Sequence, residues 1–237
     1  IKNGKIEAIG RSEDFSSVDV KESINAEKKV IMPGLINSHT HLPMSMFRGL
    51  ADDLPLDVWL NEHIFPAEAE HVNPESVEKW SCHSCREMLL GGTTTCCDGY
   101  FHEANVVKAV LKTGMRAITG QGVIDFPAPG VPDPKENVNS AIEFVKTFKD
   151  VSPLISPSIF CHSPYICSKD TLTAAKQAAK EFDVLFQIHV AETKNEKKMI
   201  QELGNMSIVE YLDSIGVLDE KTLMVHSIWI DDEDMLR

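Results

Sequence analysis

From about residue 30 onward the chain alternates two hydrophobic patterns: short β-branched or apolar runs, and longer stretches whose apolar positions fall three and four apart. The first run, 30–42, is broken at Pro33-Gly34, restarts at Leu35 and ends in His39-Thr40-His41. The later runs read as strands over 93–100, 115–124, 154–161, 184–191 and 222–230. Between them lie helices. Asn73 before Pro74 makes an N-cap and first turn, and the helix they start stops at Gly91-Gly92. Others are predicted over 103–112, closed by Gly114, and over 134–148, 169–182, 195–203 and 207–215, with one more beginning at Asp231. The stretch 56–72 is partly helical in spacing, and Pro66 breaks or kinks it. Residues 1–10 alternate apolar and polar positions about Asn3-Gly4, a hairpin signal, and 11–29 reads as loop with one short strand.

Strands that alternate with helices imply a parallel sheet covered by helices. Six such units in unbroken series, with right-handed crossovers, suit a TIM (β/α)8 barrel. Eight units need about 250 residues for the barrel alone, so two further strands are expected past Arg237. The expected organisation is part of a small β-sandwich domain over 1–32 and an incomplete barrel over 33–237.

Composition narrows the partners. With 43% hydrophobic and 25% charged residues, the 237-residue chain can bury a core. A formal charge of -13 argues against a nucleic-acid partner, which needs clustered Lys and Arg, and favours a small-molecule substrate. No apolar run approaches the ~18 residues of a membrane span, so no membrane span is expected, and the residues from Ile1 onward do not resemble a signal peptide. The six cysteines lie inside predicted helices and strands without an even framework, as reduced thiols of a cytoplasmic protein do. Cys82 and Cys85 have the spacing of a zinc or redox pair, but they lack a partner pair and fall mid-helix. Burial as small apolar side chains is expected for them.

Catalytic groups of (β/α)8 barrels gather at the C-terminal ends of the strands. Histidines recur there: His39 and His41 on the first strand, His162 on the fourth, His189 on the fifth and His226 on the sixth. His39 and His41, two apart on an extended strand, share a face and can grip one ion. His189 brings the imidazole ligands to three, leaving room for water and an acid ligand, as in a catalytic zinc site. One divalent metal is expected, zinc first, with iron, nickel or cobalt also suited to such donors. Glu192, three residues past His189, suits a proton shuttle that takes a proton from a metal-activated water and gives it to a ring nitrogen or a leaving amine. His226 would orient that water, stabilise developing charge, or bind the ion directly.

The segments Pro33-Gly34-Leu35-Ile36-Asn37-Ser38-His39-Thr40-His41, His162-Ser163-Pro164-Tyr165 and His189-Val190-Ala191-Glu192-Thr193, with His226, resemble the amidohydrolase superfamily. Within it they resemble the 5-methylthioadenosine/S-adenosylhomocysteine deaminases, kin of chlorotriazine hydrolases and guanine deaminases. The resemblance implies hydrolytic deamination at C6 of an adenine nucleoside, with Glu68 holding the ribose hydroxyls. Two-metal members carry a bridging carboxylated lysine where this chain has His162, which implies one metal here and a substrate contact for His162. Gln121 stands where many of these deaminases place an arginine near the substrate tail. Without that cation a carboxylate-bearing substrate such as S-adenosylhomocysteine is disfavoured, which leaves methylthioadenosine, deoxyadenosine or a triazine. The family's strand-eight aspartate would lie past Arg237. Relatives often self-associate, so a homo-oligomer is among the expectations. The rival readings are a triazine or guanine hydrolase with the same metal site, and a metal-binding scaffold without turnover, which the unpaired edges of an open barrel would favour.

Overall fold

The computed structural model of the chain describes residues 1–2, 5–200 and 204–237, which divide into two compact units, Ile1–Pro33 and Gly34–Arg237. In the first unit Lys2 and Lys5 form an isolated antiparallel bridge, and Ser12–Phe15 is a 3-10 turn. The tip of the expected hairpin, Asn3-Gly4, lies outside the described residues. Val30, Ile31 and Met32 form no part of a strand.

The second unit holds six strands: β1 (Leu35–Thr40), β2 (Thr93–Tyr100), β3 (Arg116–Val123), β4 (Ile155–Cys161), β5 (Leu185–Val190) and β6 (Thr222–His226). They pair in sequence order, every pair parallel, with helices between them, and make a partial TIM barrel. The helices are α1 (Leu56–Val58), α2 (Phe65–His71), α3 (Pro74–Leu90), α4 (Glu103–Thr113), α5 (Asn137–Phe148), α6 (Lys169–Phe182), α7 (Glu196–Met199) and α8 (Ile208–Ser214). None of the described helices is long and apolar enough to cross a membrane.

Period-two alternation sorts the strand side chains. Phe186, Ile188 and Val190 pack outward with Leu172 and Ala175 of α6 and Leu212 of α8. Gln187, between them, turns into the lumen, where its Nε2 donates to Ser158 Oγ at 2.7 Å and to the Asp98 carbonyl at 3.2 Å. A second apolar cluster joins Val77 and Cys85 of α3 to Val106 and Val110 of α4 against Cys96 of β2. All six cysteines are buried and free.

Several elements differ from the expected ones. Pro66 falls in the first turn of α2, where its missing N–H costs nothing, and the preceding segment Trp59–Ile64 widens into a π-helix. The helical path therefore continues through the proline. The strand expected over 222–230 ends at His226, because His226 and Ser227 take left-handed backbone (φ 72° and 51°) and turn the chain. Only Glu196–Met199 of the expected helix 195–203 is helical among the described residues, with 201–203 outside them. The helix expected from Asp231 is a 3-10 turn, Asp234–Leu236.

Candidate active site

β1 delivers His39 and, one residue past its end, His41; β5 delivers His189. The ring centroids of His39 lie 4.7 Å from His41 and 5.0 Å from His189, and one nitrogen from each ring lies within 4.8 Å of the others. Burial, reinforced by the neighbouring histidines, lowers the pKa of His39 to about 3 and that of His189 well below its ordinary value. The rings are held neutral, as metal ligation requires.

His41 Nδ1 lies 2.6 Å from the Gly99 carbonyl. A carbonyl only accepts, so Nδ1 carries the proton and Nε2 keeps a free lone pair. His39 Nε2 and His189 Nε2 face each other at 3.3 Å. Two neutral imidazoles so opposed either share an N–H or turn their lone pairs to a common cation. Three converging neutral nitrogens, one with a fixed tautomer, fit a divalent ion.

Around this cluster lies a cavity of about 220 Å³ that also takes in Glu68, His162, Glu192 and His226, with an apolar wall from Met44, Leu56 and Trp59. Glu192, just past β5, places Oε2 3.5 Å from His226 Nε2, and burial raises its pKa. The left-handed backbone at Ala191 (φ 51°) and His226 holds these two groups where the strands give way to loop. His162 follows β4, its ring 5.1 Å from His189 and its Nδ1 3.1 Å from Ser163 Oγ. Burial pushes its pKa down to about 3. Glu68 on α2 accepts the Tyr100 O–H at 2.5 Å.

Gln121 lies outside this group. Its Oε1 accepts the Glu103 N–H at 3.3 Å, and it is not among the side chains that line the cavity. The amide serves the start of α4, a use that strand position alone does not disclose.

Sequence reasoning missed Tyr100, Phe160 and Asp98. The Phe160 ring lies 5.0 Å from His189 and 5.8 Å from His41. Asp98 is fully buried and its Oδ1 accepts the Leu42 N–H at 2.6 Å. A signal for Asp98 existed: it is a lone charge in the otherwise uncharged strand 93–100.

Residues 30–237 match the model of the Amidohydrolase family, and the chain belongs to that family. It is 40% identical over 234 residues to a 5-methylthioadenosine/S-adenosylhomocysteine deaminase of Aquifex aeolicus, covering 99% of this chain and 54% of that protein. It is 38% identical over 237 residues to a 5'-deoxyadenosine deaminase of Methanocaldococcus jannaschii, covering 99% and 56%. Among solved structures, an adenosine deaminase from Xanthomonas campestris with bound zinc superposes with a TM-score of 0.82 at 33% identity, over 86% of this chain and 46% of that one. The chain spans about half the length of the curated relatives it matches.

Proposed function

We propose that this chain carries the active site of a divalent-metal-dependent deaminase of adenine nucleosides, with 5-methylthioadenosine-like substrates foremost. The observation that carries the reading is the pairing of Glu192 Oε2 with His226 Nε2 at 3.5 Å, in one cavity with the three-histidine cluster. The names of the relatives support the substrate class.

His39, His41 and His189 would hold the ion, zinc first among the candidates because a similar structure binds it. When bound, the ion supplies Lewis-acid activation of water. Glu192 would take a proton from the attacking water and give it to a ring nitrogen, and the second water proton would pass to the amine, so the ring carbon gains a carbonyl oxygen and ammonia departs. The raised pKa of Glu192 helps it hold the proton between those steps. His226 orients the water from the end of the neighbouring strand, β6. Glu68, aligned by Tyr100, holds the sugar hydroxyls, and His162 contacts the base. Gln121 acts on this site only through α4. The buried free cysteines support a cytoplasmic location and the family a homo-oligomer; residues 1–32, which among the described residues hold one isolated bridge and a 3-10 turn, would belong to a small β-sandwich domain.

The test is ammonia release from 5'-methylthioadenosine by the zinc-loaded product of the complete reading frame, with adenosine, guanine and a chlorotriazine in parallel. Nucleoside turnover is expected. Glu192→Gln is expected to keep its metal and lose about 10²–10⁴-fold in kcat, whereas His189→Ala loses the metal. Unchanged turnover in Glu192→Gln would sink the mechanism, and chloride release without ammonia would make the protein a triazine hydrolase.

A further inference from the structure

Behind the three histidines lie two carboxyl groups that the proposed chemistry does not use. Asp98 on β2 and Glu103 at the start of α4 are both fully buried. Each spends one oxygen on a backbone amide: Asp98 Oδ1 accepts the Leu42 N–H at 2.6 Å, and Glu103 Oε1 accepts the Gly120 N–H at 3.2 Å. The other oxygens, Asp98 Oδ2 and Glu103 Oε2, are buried without a hydrogen-bond partner among the described residues, and the Tyr100 N–H also acts on the Glu103 carboxyl. Burial and their mutual interaction raise the pKa of both carboxyls, and one proton shared by the pair would satisfy the two remaining oxygens.

The outer contact bears directly on the metal cluster. Leu42 follows His41, and Gly99 follows Asp98. Residue 41 is therefore fixed at adjacent points, its ring by the Gly99 carbonyl and the next amide by Asp98. Glu103 is held in turn, since its own N–H donates to Gln121 Oε1.

We infer that Asp98, braced by Glu103, is a positioning residue that presents His41 to the ion, an inference that rests on reading the histidine cluster as a metal site. Without the carboxyl, the Leu42 N–H becomes a buried orphan and the turn that aims the His41 ring loses its anchor.

Zinc dissociation constants measured by chelator competition on the full-length protein test this, with circular dichroism to confirm folding. Asp98→Ala is expected to weaken zinc about 10–100-fold. Asp98→Asn and Glu103→Gln each keep the outer acceptor and turn an NH2 toward the remaining carboxylate, so each is expected within about threefold of the parent. Combined, they set two NH2 groups against each other, and the double variant is expected to fall in the alanine range. A folded Asp98→Ala with parental zinc affinity overturns the inference. If Asp98→Ala does not fold, parental affinity in the double variant overturns it. A parent that binds zinc tightly but releases no ammonia removes the proposed activity and leaves the inference standing. A parent that binds no zinc removes both.

Discussion

Among the described residues Glu68 has a single side-chain donor, the Tyr100 hydroxyl, for a carboxyl that is 5% exposed. Burial pushes its pKa from 4.5 up to about 7, with the hydroxyl pulling the other way. The folded state therefore binds this proton more tightly than the unfolded chain. The stabilisation is fully present below pH 4.5 and lost as pH rises through 7; at its full extent it is about 3 kcal/mol. Glu68→Gln removes that dependence, so urea unfolding at pH 5 and pH 8 should show the parent losing stability relative to the variant. Parallel behaviour of the two would mean that Glu68 ionises as freely folded as unfolded. A second residue-scale case is Gly99. A Cβ there would stand 2.4 Å from Phe160 Cγ, and that ring packs against His41 and His189. Gly99→Ala is expected to cost about 1–3 kcal/mol and to weaken metal binding as well, measurable by thermal unfolding and chelator competition; parental values in both would show that Phe160 can move freely.

Among the elements, α6 shows how far a pattern can be read. Its alanine run and apolar spacing predict an amphipathic helix, and the helix forms over the expected residues. Lys176, in the middle of that run, is 2% exposed. Its ammonium donates to Asp219 and, at 2.7 Å, to Thr222 Oγ1, tying α6 to the start of β6. No local pattern announces a partner 43 residues away. Asp219→Ala would strand the ammonium and is expected to cost about 3–5 kcal/mol, whereas adding Lys176→Met should recover most of it. Equal instability of the single and double variants in denaturant melts would refute that account. The same limit explains the other departures. The strands β2 to β5 were legible because both faces of a parallel sheet are buried and β-branched or apolar runs mark them. The early end of β6 depends on positive φ at His226 and Ser227, and the π-turn before Pro66 on ring sterics, neither of which hydrophobic periodicity records. That the five histidines and Glu192 gather in one cavity was legible because polar groups at strand ends are conspicuous. Gln121 does not line the cavity, because a lumen-side strand position does not say which backbone amide claims the side chain.

At the scale of the whole chain, the order of six β/α units follows from their alternation, but what borders the sheet does not. Among the described residues β1 pairs only with β2 and β6 only with β5, so each presents an outer row of backbone donors and acceptors. The β1 edge is also apolar, with Leu35 53% and Ile36 69% exposed. Such edges template pairing with another chain. Opposing this is a formal charge of -13, whose self-repulsion is long-ranged in dilute salt and shrinks to a reach of about 8 Å at physiological ionic strength. The two effects together fix the sign of a salt response. The 237-residue chain alone should associate with rising concentration in sedimentation velocity, more strongly as salt is added, and Ile36→Lys should suppress that association by placing a charge on the edge. A longer product of the same reading frame that supplies strands to both edges should stay unassociated through these contacts at any salt. If the 237-residue chain remains monomeric in high salt, the edges are not adhesive, and any self-association of the longer protein must be sought on its helical faces.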